Sequence, residues 1–166
     1  MFALKPITHD SLATALAKAE RYRLLNEPGE AESICRDILE IEPGNQQALI
    51  SLILAMTDQI SHDPHAFGRA ISTIEGLESA YDRFYYGGIA WERRAKARRH
   101  GGGHGADRYI YEWLVKALQL FGEAERIRVP GNDDAVLRWN ACVRFLASHP
   151  ELSPRDEGVP EPILSE

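Results

Sequence analysis

The chain has 166 residues, of which 44% are hydrophobic, and a formal net charge of −6. This length and composition suit one domain with a hydrophobic core, and the negative charge argues against general nucleic-acid binding. No apolar run approaches the roughly 20 residues of a membrane span, and the N-terminal stretch lacks the apolar region of a secretion signal. We therefore expect a cytoplasmic protein.

Apolar residues recur at steps of three and four along most of the chain, which predicts seven helices and an all-α fold. The helices are predicted over residues 8–25, 28–42, 46–60, 65–80, 81–99, 107–128 and about 133–148. Pro28 suits a first helical position, and Asn45 can cap the third helix. The stretch 150–166 contains four prolines and no periodicity, which predicts an extended or disordered tail after a domain at 1–149.

Two of the predicted helices have faces that indicate their surroundings. The polar residues of the sixth helix form one narrow stripe, so we expect it to be sandwiched between at least two other helices. The fifth helix ends in ERRAKARR, with charges pointing in nearly every direction, and this pattern predicts a helix end surrounded by solvent. Residues 92–108 carry six Lys or Arg against two acidic residues. The glycines of 101–105 predict a flexible tip that joins this basic end to the sixth helix.

The residues that could carry metal or redox chemistry have simpler interpretations. Cys35 and Cys142 fall at apolar helix positions and are expected to be buried, small hydrophobic side chains. Four histidines lie in turns or beside glycines and are interpreted as surface residues: His62, His65, His100 and His104. Fixed ligand sets of the kind that zinc requires are not apparent. We expect no metal and no cofactor.

An enzyme would need a nucleophile with a base, or paired carboxylates in a pocket. Asp133 and Asp134 form the one tight acidic pair, and their place at a predicted helix start explains them as charges that favour that end of a helix. Ser, Cys and His residues are present, but no spacing orients them toward one another. The sequence therefore predicts a protein without catalytic activity.

Two hinges have nearly the same sequence, PGNQQAL at 43–49 and PGNDDAV at 130–136. Each follows an amphipathic helix, and the pattern resembles the boundary between tetratricopeptide (TPR) repeats, which are helical hairpins of about 34 residues. Small, aromatic or proline positions of the repeat are matched by these residues: Ala19, Tyr22, Ala31, Pro43, Ala117, Phe121 and Ala124. The chain departs from the family pattern at Cys35, where an aromatic residue is usual, at Ile38, where an alanine is usual, and at Pro130, which comes one residue late.

The resemblance implies a right-handed superhelical stack of about three TPR-like hairpins, with the seventh helix as a C-terminal cap. The hinge prolines at positions 43 and 130 lie 87 residues apart, whereas two repeats need about 68. We place most of the excess in a lengthened helical hairpin around residues 81–128 that projects from the stack.

The resemblance also implies a concave binding surface lined by the first helix of each hairpin. Transferred by position, the lining residues are Leu16, Glu20, Arg23, Gln47, Ile50, Leu54 and Asp58. This largely apolar set suits a peptide, an amphipathic helix or a second copy of the chain. The Lys and Asn with which some TPR proteins hold a C-terminal carboxylate are replaced here by Leu16 and Glu20, so the binding of such tails is not expected.

We therefore predict a non-catalytic protein–protein interaction module, such as an adaptor, scaffold or assembly factor, that binds a protein or peptide partner on its concave face. The alternative is a homodimer that consumes this lining and uses the Arg-rich hairpin at 92–108 for an acidic protein or nucleic acid. Its candidate contacts are Arg94, Arg98 and Arg99. The acidic body and the absence of a nucleic-acid motif favour the acidic protein.

Overall fold

The computed structural model describes residues 2–100 and 106–152, and within them it contains seven α-helices, two short 3-10 helices and no strand. The α-helices are α1 (Leu12–Leu24), α2 (Pro28–Ile41), α3 (Gln46–Asp58), α4 (Ala66–Ile74), α5 (Ala80–His100), α6 (Ala106–Ile127) and α7 (Asp134–Ala147). The 3-10 helices are His9–Ser11 and Pro150–Leu152. The prediction of an all-α chain with seven helices is confirmed. None of the described helices is long and apolar enough to cross a membrane.

Local chemistry explains most of the helix ends. Asn45 caps α3, since its side chain accepts a hydrogen bond from the Ala48 amide at 2.9 Å. Gly131 has a φ of 87°, which only glycine adopts readily, and it turns the chain between α6 and α7. Ser79 accepts a hydrogen bond from the Asp82 amide and caps α5. The fourth helix ends at Ile74, six residues earlier than predicted. The chain turns after Ile74 and leads to Ser79, the cap of α5.

The helices contact one another in a regular order. Each helix packs against the next one along the chain, and α1 also contacts α3, α3 contacts α5, and α5 contacts α7. The odd-numbered helices therefore form one row, and each even-numbered helix packs on its two chain neighbours. This row brings α1, α3 and α5 side by side, which is where the predicted concave residues lie.

The most extensive helix pair is α5 with α6. Their shared core contains buried residues from both helices together with two from the C-terminal part of the chain: Ile89, Ala95, Ile110, Leu114, Ala117, Phe121, Cys142 and Leu152. Gly88 permits the close approach, because a Cβ atom at this position would collide with the ring of Phe121. Since α6 is covered by α5 on one side and α7 on another, the prediction of a sandwiched sixth helix is confirmed.

The prediction that the charged end of the fifth helix stands in solvent is wrong for residues 92–96. Glu92 is only 1% exposed, Ala95 is fully buried, and Arg93 and Arg94 are partly buried. Charges can point inward here because neighbouring helices supply partners for them and because the long arginine stems cover apolar surface. Arg98 and Arg99 are exposed, as predicted. The glycine tip at 101–105 lies outside the described residues.

The folded chain continues three residues beyond the predicted domain end at 149. Pro150–Leu152 forms a 3-10 helix against α6 and α7, and Leu152 is buried in their core. A single leucine with no periodic neighbours gives no sequence signal of this packing. The rest of the predicted tail, 153–166, lies outside the described residues.

Candidate functional site

The predicted concave residues all keep some solvent exposure on the row formed by α1, α3 and α5. Glu20 and Gln47 are exposed, and the others are partly buried: Leu16, Arg23, Ile50, Leu54 and Asp58. Leu16 and Gln47 line one open cavity of about 340 Å³ near the starts of α1 and α3. Arg23 and Asp58 meet at the ends of the same two helices. The two helices therefore run in the same direction, and we call their shared accessible side the inner surface.

Asp58 joins three helices of the row. Its Oδ2 lies 2.9 Å from Nε of Arg23 on α1, and its Oδ1 lies 2.6 Å from Nη1 of Arg93 on α5. Arg93 also donates hydrogen bonds to the backbone oxygen of Leu54, at 3.2 Å, and to the hydroxyl of Thr57. Sequence reasoning placed Arg23 and Asp58 on this surface but missed Arg93. It lies in a run of arginines whose spacing does not indicate which one turns toward α3.

This arrangement keeps the Arg93 side chain charged. Burial lowers the pKa of Arg93, and the Asp58 carboxylate opposes that effect. Because arginine is a strong base, the guanidinium stays protonated at neutral pH. The three side chains therefore form a fixed link across the row.

A second link joins α5 to α7 through a buried carboxylate. Glu92 Oε1 lies 2.5 Å from Nζ of Lys96, and Oε2 lies 3.5 Å from Nη1 of Arg138 on α7. Oε2 is buried and accepts no hydrogen bond from the described residues. Since a buried carboxylate needs a compensating charge, Lys96 and Arg138 are committed to the fold. Sequence reasoning missed Glu92 because it begins the charged run of residues 92–99, and nothing in that run indicates which charge is buried.

The apolar members of the inner surface also belong to the core. Ile50 packs against a buried cluster that contains Ile53 and Ala90, and Leu54 packs against the α5–α6 core. Their exposed edges remain accessible, but they cannot be changed freely without affecting stability. An additional apolar side chain is more accessible than either: Leu24, at the end of α1, is 88% exposed.

Leu24 extends the predicted stripe of α1. It follows Leu16 and Glu20 at steps of four residues, so all three lie on one side of the helix. The sequence prediction omitted it, although the same spacing that selected Leu16 and Glu20 would have found it. The inner surface of α1 thus presents an apolar, an acidic and an apolar residue in a row.

The arginines predicted for the basic hairpin do not share one surface. Arg94 lies between the rings of Phe67 and Trp113, with its guanidinium carbon 4.1 and 4.2 Å from the ring centres. Burial lowers the pKa of Arg94. Arg99 points to the other side of the hairpin, where its Nη1 lies 3.3 Å from Glu151. Arg98 is exposed and lines a cavity with Arg94.

The groups with potential nucleophilic or metal-binding chemistry are buried or scattered. Burial raises the pKa of the Cys35 thiol to about 11 and that of Cys142 to about 12, which leaves almost no reactive thiolate at neutral pH. Both cysteines are buried, as predicted. His62 and His65 are exposed. Within 2–100 and 106–152, no three His, Cys, Asp or Glu side chains are grouped as metal ligands.

Comparison with known proteins finds no matching family model, no similar curated protein and no similar solved structure. The resemblance to TPR repeats therefore rests on the hinge sequences and the repeat positions of this chain. The arrangement of the inner surface rests on the side-chain contacts of α1, α3 and α5. These contacts leave charged and apolar side chains accessible on the same surface.

Proposed function

We propose that this protein is a non-catalytic interaction module of the cytoplasm, an adaptor, scaffold or assembly factor, built as a right-handed TPR-like stack of about three hairpins. The two PGN hinges and the row of odd-numbered helices support this architecture. In such stacks the first helices of successive hairpins line the ligand surface. The inner surface of α1 and α3 is thus the proposed site for a protein or peptide partner.

The observation that carries this proposal is the accessible stripe of α1 that ends at Leu24. A leucine that is 88% exposed beside the exposed Glu20 gives a partner both apolar area and a negative charge. The Asp58 link holds α1 against α3 and α5, so the stripe has a fixed position relative to Gln47. Fixed apolar and charged groups suit an amphipathic helix or peptide with a basic residue opposite Glu20.

The test is capture of a partner followed by direct titration with purified proteins. Tagged protein is used as bait in native lysate, bound proteins are identified by mass spectrometry, and the affinity of each candidate is then measured by calorimetry. The test variant combines Glu20→Arg with Leu24→Asp, because both side chains are exposed and neither is buried in a core cluster. Arg23 and Ile50 are poorer choices, since the ion pair of Arg23 and the packing of Ile50 support the fold.

A matched control carries a charge reversal on the opposite layer. Glu40 is exposed on α2, so Glu40→Arg makes the same charge reversal as Glu20→Arg but away from the inner surface, and it changes the net charge by more than the double variant does. We expect the Glu20→Arg/Leu24→Asp variant to lose partner binding and the Glu40→Arg variant to keep it. Undiminished binding by the folded double variant would show that the inner surface is not the binding site.

The alternative proposal is a homodimer whose Arg-rich hairpin meets an acidic protein or nucleic acid. Its apolar contact is the lining of the inner surface, where Leu16 and Ile50 are partly buried and Leu24 is exposed. A second copy bound there covers this lining and leaves the hairpin as the working surface. The hairpin has less free charge than its composition indicates, because Arg93, Lys96, Arg99 and Arg108 are ion-paired within the chain.

Sedimentation velocity at micromolar concentration tests the alternative. A dimer that becomes a monomer after Leu24→Asp, with Lys18→Ala as the control on the same helix, would support it. A protein that stays monomeric at all concentrations would contradict the homodimer proposal. Neither result depends on the identity of a partner, so this test is separate from the capture experiment.

A further inference from the structure

A cavity of about 280 Å³ lies where the hairpin of α5 and α6 meets the turn between α3 and α4. Five apolar residues form much of its lining: Ile60, Pro64, Phe67, Ala97 and Trp113. The remaining lining residues are Ser61, Arg94 and Arg98. Among the residues that the structure describes, two arginines and no acidic side chain therefore line a partly apolar cavity, in a protein whose net charge is −6.

Arg94 lies against two aromatic rings in this cavity. Its guanidinium carbon is over the rings of Phe67 and Trp113, 4.1 and 4.2 Å from their centres, and Trp91 lies further away at 5.4 Å. A guanidinium group donates its hydrogen bonds at its edges, within its own plane. The aromatic contacts thus restrict the direction in which the donors point.

The edge of Arg94 is not used by the described part of the fold. Among these residues, no carboxylate lies within ion-pair distance of Arg94, and no side-chain or backbone oxygen accepts a hydrogen bond from it. Arg93, its neighbour on the chain, is in contrast ion-paired with Asp58. A partly buried cation with a fixed orientation and free donors is the arrangement by which arginine binds an oxyanion through two parallel hydrogen bonds.

Arg98 and Ser61 supply further donors to the same cavity. Arg98 follows Arg94 by four residues, so the two side chains lie on the same side of α5. Both Arg98 and Ser61 are exposed and can turn toward a ligand. Two guanidinium charges without a lining carboxylate favour a doubly charged anion over a singly charged one.

We propose that this cavity binds a phosphate monoester whose organic group is apolar, with the phosphate held by the edge of Arg94, by Arg98 and by Ser61, and the apolar group placed against Phe67, Trp113 and Ile60. This site is separate from the inner surface and does not depend on a partner being bound there. The same chemistry could be presented by a free small molecule or by a phosphorylated residue of a protein. Phenyl phosphate contains both elements and serves as the probe.

The experiment is a titration of the ¹⁵N-labelled full chain, followed through the arginine Nε–H and tryptophan indole N–H signals. Three probes are compared at matched ionic strength: phenyl phosphate, inorganic phosphate and benzoate. We expect saturable shifts of the Arg94 and Trp113 signals, with phenyl phosphate binding tightest. Inorganic phosphate lacks the apolar contact, and benzoate lacks the second charge. The absence of saturable shifts with all three probes would overturn the proposal, and tighter binding of benzoate than of phenyl phosphate would overturn its assignment to phosphate.

Two variants locate the site, and a third is the control. Arg98→Gln removes an exposed charge and should weaken phenyl phosphate binding about tenfold, which corresponds to ~1.4 kcal/mol. Arg94→Lys keeps the charge but loses the planar donor pair, so it should also weaken binding. Arg99→Gln removes a charge next to Arg98 on the other side of the helix and should leave the affinity unchanged. Equal affinity of the wild type and Arg98→Gln would overturn the proposal.

The behaviour of Arg94→Lys separates ligand binding from a purely structural role of the stacked arginine. If Arg94 only fills space between two rings, the variant should melt at a lower temperature while its folded form binds phenyl phosphate as the wild type does, and this result would overturn the proposal. A source test follows from a positive result. A phosphotyrosine-containing peptide that binds tighter than phenyl phosphate assigns the site to a phosphorylated protein, whereas weaker binding of the peptide assigns it to a small molecule.

Discussion

Arg93 Nη1 lies 2.6 Å from Oδ1 of Asp58, and this ion pair connects α5 to α3. The second oxygen of the same carboxylate lies 2.9 Å from Nε of Arg23 on α1. One aspartate thus receives an arginine from each neighbouring helix of the row. Because its two oxygens are used by different helices, the loss of this carboxylate should loosen the row at both contacts.

We therefore expect Asp58→Asn to lower the free energy of unfolding by about 1–2 kcal/mol. The side chains of Asp58, Arg23 and Arg93 are 25, 20 and 25% exposed, so the effect should fall between that of exposed pairs, roughly 0–1 kcal/mol, and that of broken buried pairs, roughly 3–5 kcal/mol. Urea denaturation followed by circular dichroism measures it. Glu75→Gln removes an exposed negative charge and is the control. Equal urea midpoints for the two variants would contradict the structural role of Asp58.

Gly88→Ala and Gly87→Ala should change stability in opposite directions. A Cβ atom at Gly88 would meet three atoms of the Phe121 ring, two of them at 2.6 and 2.9 Å, and relief of this collision should cost about 1–3 kcal/mol. At Gly87 the nearest atom is Leu120 Cδ1 at 3.5 Å, an ordinary contact, so the better helix propensity of alanine should stabilise the protein by up to about 1 kcal/mol. Thermal melting of the two variants checks the prediction. A Gly88→Ala protein as stable as Gly87→Ala would mean that α5 and α6 are further apart.

Lys96→Met should destabilise the protein by about 1–3 kcal/mol, because it leaves the buried Glu92 carboxylate with only the distant Arg138 as a partner. The double variant Lys96→Met/Glu92→Leu should recover much of this loss, since the buried charge is then absent. Lys116→Met changes an exposed lysine on α6 and is the control. Chemical denaturation of the wild type, the single variants Lys96→Met and Glu92→Leu, and the double variant gives the coupling energy between Lys96 and Glu92. A coupling energy of zero would show that the pair is not formed.

Stability should fall as the pH rises above about 8.5. An unfolded cysteine loses its proton near pH ~8.5, whereas burial raises the pKa of Cys35 to about 11 and that of Cys142 to about 12. Above pH ~8.5 the unfolded state therefore releases thiol protons that the folded state keeps. Each thiol then lowers the free energy of unfolding by up to about 1.4 kcal/mol per pH unit until its folded pKa is reached.

The measurement is the free energy of unfolding in urea between neutral pH and pH ~10. Cys35→Ala and Cys142→Ala should each give a shallower decline with pH than the wild type, even though each is less stable at neutral pH because a buried side chain is shortened. Comparing slopes removes the contribution of other groups that titrate in this range. A slope that is unchanged by both substitutions would show that the thiols are accessible in the folded protein.

Features that depend on neighbours along the chain could be read from the sequence. The recurrence of apolar residues predicted seven helices, because the period of a helix is encoded within each segment. Pro28, Asn45 and the Pro130–Gly131 hinge marked their ends for local reasons, by φ restriction and by capping. The narrow polar stripe of α6 predicted its sandwiched position, and the burial of both cysteines followed from their helix faces.

Features that depend on distant segments could not be read in the same way. The charged end of α5 appeared solvated because, apart from Lys96, the partners of its inward-facing charges come from other helices. Arg138 on α7 faces Glu92, and Asp58 on α3 pairs with Arg93. Leu24 was omitted from the inner surface, although its spacing from Glu20 was visible. The inner-surface residues remain a predicted binding site. Arg94 and Arg98 were predicted contacts of the basic hairpin, but the sequence did not indicate the cavity that they line.

The sequence by itself determined the helices, their hinges and the all-α class, because hydrophobic periodicity and turn chemistry act over a few residues. Only the tertiary structure decided which of two adjacent glycines touches Phe121, which arginine reaches Asp58 and which one stacks between two aromatic rings. These choices depend on the distance and angle between helices, and residues far apart in the chain set that geometry. Within Tyr85–Ile89 and within Glu92–Arg99, residues of the same type therefore make different contacts.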